Sequence, residues 1–114
     1  PVSEETLFSK IIDRQVSAHI VYEDEKCLAF RDINPQAPMH ILLIPKQIIP
    51  MLSTSAPEDQ DLLGHLLLVA PKIARDQGQE SFRLVINNGA DAHQTVYHLH
   101  LHIIGGRRMG WPPG

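Results

Sequence analysis

The 114 residues hold a single cysteine, Cys27. A lone thiol excludes an intramolecular disulfide and a Cys-based zinc module. It is compatible with a reducing compartment, and the expectation is a cytoplasmic protein. Charge of one sign is also scarce. Thirteen acidic side chains against ten basic ones leave a net charge of −3, so no basic footprint points to duplex nucleic acid. A mononucleotide needs only a few local donors and is not excluded. No apolar run is long enough to span a bilayer, and the start, Pro1-Val2-Ser3-Glu4-Glu5, is acidic where a signal peptide would be basic. Repeats and low-complexity segments are missing too. What remains is an ordinary globular composition, 43% hydrophobic and 20% charged, with room for one domain over residues 1–114.

Ser3 reads as an N-cap, with Glu4 and Glu5 in a first turn where acids suit the helix dipole. Leu7, Phe8, Ile11 and Ile12 then recur at helical spacing, predicting a short helix to about Arg14. His19 to Tyr22 and Lys26 to Arg31 read as strands joined by the charged turn Glu23-Asp24-Glu25. Asp32 to Pro38 is a loop, and Met39 to Ile44 a third strand stopped by Pro45. Ser53 to Asp59 carries helix-start signals, including Pro57. From there Leu62, Leu63, Leu66, Leu67, Ala70, Ile73 and Ala74 make a broad apolar stripe that ends before Gly78. Pro71 inside that stripe predicts a kink or a shortened helix. Ser81 to Asn87 and Tyr97 to Ile104 complete five strands, with a polar loop from Asn88 to Thr95 and an irregular tail from Gly105 to Gly114. Short turns favour an antiparallel sheet with the helices on one side, an α+β fold.

The chemistry concentrates in His98-Leu99-His100-Leu101-His102, which holds three of the seven histidines. On a strand these imidazoles share a face, roughly 6–7 Å apart, while Leu99, Leu101 and Ile103 point to the core under the long helix. A solvated polar face is usually built from Lys, Glu and Thr, so the row calls for a chemical explanation. Two are available. His-x-His on a strand can place two nitrogens on one zinc, with His40 or a carboxylate as a further ligand. Alternatively one imidazole is a nucleophile or base, its neighbours setting its tautomer and holding an anion, since imidazole titrates near neutrality. Spacing alone does not rank the two.

The run His98-Leu99-His100-Leu101-His102-Ile103-Ile104 resembles the His-φ-His-φ-His-φ-φ signature (φ apolar) of the histidine triad (HIT) superfamily. The likeness extends through Cys27-Leu28-Ala29-Phe30, Asp32 to His40, Ile44-Pro45-Lys46, Leu62-Leu63-Gly64-His65 and Gly105-Gly106-Arg107 to Trp111-Pro112-Pro113-Gly114. These segments look like the Hint branch, the histidine triad nucleotide-binding proteins. The resemblance implies a HIT-like fold, with a five-stranded antiparallel sheet, one long and one short helix, and a homodimer whose two sheets run on as one. It implies hydrolysis of purine nucleoside phosphoramidates and acyl-adenylates by two-step nucleotidyl transfer, with no metal and no other cofactor.

It also implies roles. His100 would attack the α-phosphorus, giving a nucleotidyl-histidine that water cleaves, which splits one hard displacement into two easier ones. A backbone carbonyl near the first motif histidine would hold the proton on the other nitrogen of His100, with His98 mainly orienting. His102 would contact the phosphate, and His40 would support His102. Asn87 and Thr95 would hydrogen-bond the phosphate or leaving group; the family has Ser at the Thr95 position, so the hydroxyl is kept. The backbone N–H groups of Gly89 and Val96 would assist. Asp32 would bind the ribose hydroxyls, and Phe8, Ile11, Phe30 and Ile33 would line an apolar base pocket. Trp111, in the tail, would shape leaving-group specificity toward a partner protomer. Arg31, Ala92-His93 and Gly110 depart from the family pattern, while His19, His65 and His93 read as surface or structural. Two rivals share the resemblance: a nucleotide-binding interaction module with incidental catalysis, and a dinucleoside polyphosphate hydrolase. Branches with the latter activity usually carry Gln at or next to the last motif position, where this chain keeps His102.

Overall fold

The computed structural model describes residues 5–114. Five strands, β1 (Ile20–Glu23), β2 (Cys27–Arg31), β3 (Met39–Pro45), β4 (Phe82–Val85) and β5 (Leu101–Gly105), form one sheet in the order β1-β2-β3-β5-β4. Every neighbouring pair is antiparallel, so the expected α+β sheet is present. β3 lies at the centre, and all seven of its residues are buried. This central position explains why Ile41 to Pro45 reads as a continuous apolar run instead of an alternating one.

Two apolar clusters sit on opposite faces. On one, Leu66, Val69, Ala70, Ile73 and Ala74 of the long helix α2 (Gln60–Asp76) pack on Cys27, Ala29, Ile41, Leu43, Leu101 and Ile103. On the other, Phe8 and Ile11 of the short helix α1 (Leu7–Ile12) pack on Leu28, Phe30, Leu42 and Ile44. Odd and even strand positions project to opposite sides, so the helices flank the sheet. The expectation of both on one side is corrected. β2 and β3 are apolar at odd and even positions alike, and each face needs a cover.

Local signals explain most boundaries. α1 starts at a capping box, with Ser9 N–H donating to Thr6 Oγ1 at 3.1 Å and Thr6 N–H donating to Ser9 Oγ at 2.8 Å. The expected cap at Ser3 lies outside the described residues. Single 3₁₀ turns at Leu52–Thr54 and Pro57–Asp59 lead into α2, which runs through Pro71 to Asp76 without being shortened. Gly105 extends β5 beyond the expected end. A Cβ there would stand 2.9 Å from both the Met39 side chain and the Ser81 carbonyl, so only glycine fits between β3 and the start of β4.

β5 also begins late, at Leu101 instead of Tyr97. Its ladder with β3 ends at the pair Leu43–Leu101. Beyond that point Pro45 has no N–H to offer. The preceding chain bends at Val96 to His98, and Leu99 N–H donates to the Ile49 carbonyl at 2.6 Å. The three motif histidines therefore straddle a strand start: His98 and His100 lie in the incoming segment and His102 in the ladder.

Candidate active site

The register aligns His102 with Leu42, and His40 with Ile104, on the face covered by α1. His98 is fully buried, while His100 and His40 are 7% and 6% exposed. The hydrogen bonds fix the tautomer of each ring. His100 Nδ1 lies 2.7 Å from the His98 carbonyl. A carbonyl only accepts, so Nδ1 carries the proton and Nε2 keeps its lone pair. His98 Nε2 donates to the Pro45 carbonyl at 2.7 Å, which pins the bend that supplies the carbonyl for His100. His98 Nδ1 is buried without a partner, and nothing in the structure explains it.

A second chain of bonds runs through His40. The backbone N–H of Gln36 donates to His40 Nδ1 at 3.0 Å, so the proton of this ring sits on Nε2. His40 Nε2 is 2.9 Å from His102 Nδ1, which must accept. The proton of His102 is thereby driven to Nε2, a buried donor with no protein partner. Two neighbouring imidazoles, with ring centroids 5.1 Å apart, thus present opposite chemistry: a lone pair on His100 and an N–H on His102. The edge of the Phe8 ring meets the His100 ring at 4.9 Å and 84°, which restricts its rotation.

Burial works against protonation of these rings. It lowers the pKa of His40, His98 and His100, against smaller opposing effects from Asp32 on His40, from the Pro45 carbonyl on His98, and from the His98 carbonyl and then Asp32 on His100. His102 is brought down from 6.5 to about 4, first by burial and then by the neighbouring His100 and His40. A histidine whose folded pKa is depressed resists protonation only in the folded state, so the unfolded chain binds more protons between the two values. Stability is then full above pH 6.5 and falls as pH drops toward 4. Thermal midpoints across that window should decline for the wild type and more shallowly for His102→Asn. Parallel curves would show that His102 does not take part.

His100 and His102 lie where two cavities meet. The larger, of about 530 Å³, is lined by Asp32, Asn34, Gln36, His40, Asn87, His93, Thr95, His100 and His102, with Val85 and Ile104 as its apolar members. The smaller, of about 250 Å³, is walled by Phe8, Ile11, Val16, Phe30, Leu42 and Val96. Asp32, Thr95, His100 and His102 line both, so together they form one cleft with an apolar end and a polar end. Ile33 lines the apolar end but is 97% exposed, a rim residue instead of a wall. Asp32 uses Oδ1 to accept from Asn34 N–H at 2.8 Å, an ordinary Asx turn, while Oδ2 lies 3.4 Å from His40 Nε2. Ligand atoms of Asp32, His40 and His102 fall within 4.8 Å of one another, the set a metal would use on this face; His98 and His100 stand outside it.

Some expectations need correction. The backbone N–H of Gly89 donates to Gln94 Oε1 at 2.9 Å and is not free for a phosphate. Gln94 is buried, and its amide also reaches the carbonyls of Pro50 and Val96, so it braces the loop that carries Thr95. A lone Gln in a polar loop gives no sequence signal of that role. His93 is exposed, as expected of a surface histidine, and it also lines the polar end, at the left-handed φ of 68°. Gln36 went unnoticed because it contributes through its backbone N–H. Trp111 lines neither cavity; it is 82% exposed, 5.9 Å from the Arg83 guanidinium.

Comparison with known proteins agrees with this geometry. The model of the HIT domain family matches residues 13–109. An uncharacterized HIT-like protein of Synechocystis sp. is 63% identical over 114 residues, 99% of this chain and 100% of the relative. Among solved structures, a HIT family hydrolase from Legionella pneumophila superposes with a TM-score of 0.94 at 46% identity, covering 96% of this chain and 100% of that one. A histidine triad nucleotide-binding protein from Candida albicans gives a TM-score of 0.81 at 30% identity, covering 95% and 83%. None of the described helices is long and apolar enough to cross a membrane.

Proposed function

The chain belongs to the HIT domain family, and from that premise we propose that it hydrolyses purine nucleoside phosphoramidates, and acyl-adenylates, through a nucleotidyl-histidine on His100. The observation that carries the reading is the pair of opposed tautomers, a lone pair on His100 beside an N–H on His102. In the first step His100 Nε2 attacks the α-phosphorus, forming a P–N bond as the bond to the leaving amine breaks. The amine departs protonated, with the Thr95 hydroxyl the group in place to deliver the proton. His102 Nε2–H donates to a phosphoryl oxygen as charge builds there. In the second step water attacks the same phosphorus and the P–N bond to His100 breaks; the water's proton returns to the Thr95 oxygen, nucleoside monophosphate is released and His100 is again neutral.

The two ends of the cleft suit the two ends of such a substrate. Phe8, Ile11, Phe30 and Val96 offer a base apolar walls at the narrow end, with Ile33 at its rim. Asp32 lies between the ends, where the ribose hydroxyls would fall, and Asn87 lines the phosphate end. Residues 1–114 act in this reading as one domain in the cytoplasm, paired as a homodimer that continues the sheet. β4 supports the pairing, because it ends the sheet with an open edge that a second copy could cover. Trp111 would then reach toward the partner protomer and act on the leaving group.

The test is steady-state release of amine from an adenosine 5′-phosphoramidate with EDTA in excess. Turnover that survives the chelator is expected. Turnover seen only when EDTA is left out would return the site to the metal set of Asp32, His40 and His102. Tight binding of a nucleoside monophosphate without turnover would favour an interaction module.

A further inference from the structure

We propose that Asp24, Cys27 and His65 form a second site, on the opposite side of the sheet from the histidine cleft, that binds one zinc ion or a similar divalent transition metal. Their ligand atoms lie within 4.8 Å of one another, and they come from three places: the turn after β1, the first residue of β2 and the middle of α2. Cys27 packs in the cluster under α2, so the sheet separates this site from His40 and His102. A lone cysteine rules out modules with two or more thiolates, but not a site of mixed donors. Thiolate, imidazole and carboxylate together are a set that suits zinc.

The donors are already oriented. Asp24 Oδ1 accepts from the backbone N–H groups of Lys26 at 2.7 Å and Cys27 at 2.9 Å, which fixes the carboxylate plane. Oδ2 accepts from the Tyr22 hydroxyl at 2.8 Å and from His65 Nε2 at 2.7 Å, directly beside the thiol. A carboxylate held by outer hydrogen bonds while one oxygen meets the metal is the usual support for such a ligand. Cys27 is fully buried, whereas the side chains of His65 and Asp24 are 30% and 25% exposed, which leaves an entry path and room for a water as fourth ligand. One thiolate and one carboxylate balance the two positive charges of the ion, which limits the cost of burial.

Binding rearranges two protons. The Cys27 S–H proton goes to solvent as the metal–sulfur bond forms. The His65 proton moves from Nε2 to the other ring nitrogen as Nε2 turns its lone pair from Asp24 to the metal. Because binding releases the thiol proton, affinity should rise with pH. The bound ion would clip α2 to the β1–β2 turn across 41 residues of sequence.

The experiment is a cobalt(II) titration of the reduced full chain, followed by absorbance, then displacement by zinc. A sulfur-to-cobalt charge-transfer band that saturates at one equivalent and vanishes on adding zinc is expected. Cys27→Ser should abolish the band, and His65→Gln should weaken cobalt binding by about tenfold or more. Zinc should raise the thermal midpoint of the wild type, leave that of Cys27→Ser unmoved and raise that of His65→Gln by less. Metal-free midpoints within a few degrees of wild type confirm that the variants are folded. Absence of a sulfur band at saturating cobalt overturns the proposal. So does cobalt binding that Cys27→Ser leaves unchanged, which would locate the ion on the sulfur-free set of Asp32, His40 and His102.

Discussion

Replacing His100 with glycine is expected to lower phosphoramidate turnover by about 10⁴-fold or more, the scale of losing a nucleophile for which nothing else can substitute. The other three rings of the site cannot stand in. His98 Nε2 is committed to the Pro45 carbonyl, and His102 Nδ1 and His40 Nε2 are committed to each other. His100 alone combines a lone pair on the cleft side with a proton fixed on the far side by a 2.7 Å bond to the His98 carbonyl. The loss should fall on kcat. Binding of nucleoside monophosphate should change only a few-fold, because Asp32, Phe30 and Ile11 are untouched. A rapid quench followed by mass spectrometry should find a nucleotidyl adduct on the wild type and none on the variant. Turnover by His100→Gly within tenfold of wild type would sink the covalent route.

Phe8 shows why a helix of only six residues matters to this chemistry. It is 4% exposed, and it touches His100 at 4.9 Å, Phe30 at 5.5 Å and His98 at 6.1 Å, ring centre to ring centre. One of the two aromatics that wall the apolar end of the cleft thus also holds the ring of His100, the proposed nucleophile. Occupancy of that end and the rotational freedom of His100 are coupled through one side chain. A bound base that presses on Phe8 would stiffen the nucleophile just as the phosphate arrives.

The central strands were legible because their apolar residues leave few alternatives. Leu99, Leu101 and Ile103 could only be a core face, and they pack in the cluster under α2. Asp32, His40 and Thr95, far apart in sequence, line one cavity with His100. The misreadings share a cause, since each depends on where a backbone group finds its partner. β5 starts four residues late because Leu99 N–H goes to Ile49 instead of a strand neighbour. Gly89 was expected to offer an N–H that Gln94 already holds. Gln36 supports His40 with the one atom that its side chain does not advertise. The placement of α1 opposite α2 was hidden for a different reason. Apolar odd and even positions in β2 and β3 show that both faces are buried but not which helix covers which.

His102→Ala is expected to cost about 10²–10³-fold in kcat, the usual price of removing one donor aimed at a developing oxyanion, with KM changed little. The argument starts at Gln36, whose N–H fixes the lone pair of His40 Nδ1 and so its proton on Nε2. That proton faces His102 Nδ1 at 2.9 Å, and the relay ends in a buried N–H without a protein partner. An unsatisfied buried donor is costly, and a phosphoryl oxygen would satisfy it only when substrate is bound. With its pKa brought down to about 4, chiefly by burial, His102 would stabilise the transition state in the proposed reaction as a hydrogen-bond donor and not as a cation. His102→Gln separates this from a structural role. Its amide can restore a donor without an imidazole, so it should recover part of the rate, and its pH profile should keep the wild-type shape above pH 6. His40→Ala, which frees His102 to place its proton on either nitrogen, should cost about tenfold, and much less once His102 is already Gln. Equal losses for His102→Ala and His102→Gln, together with a matching drop in thermal midpoint, would mean that the ring only fills space.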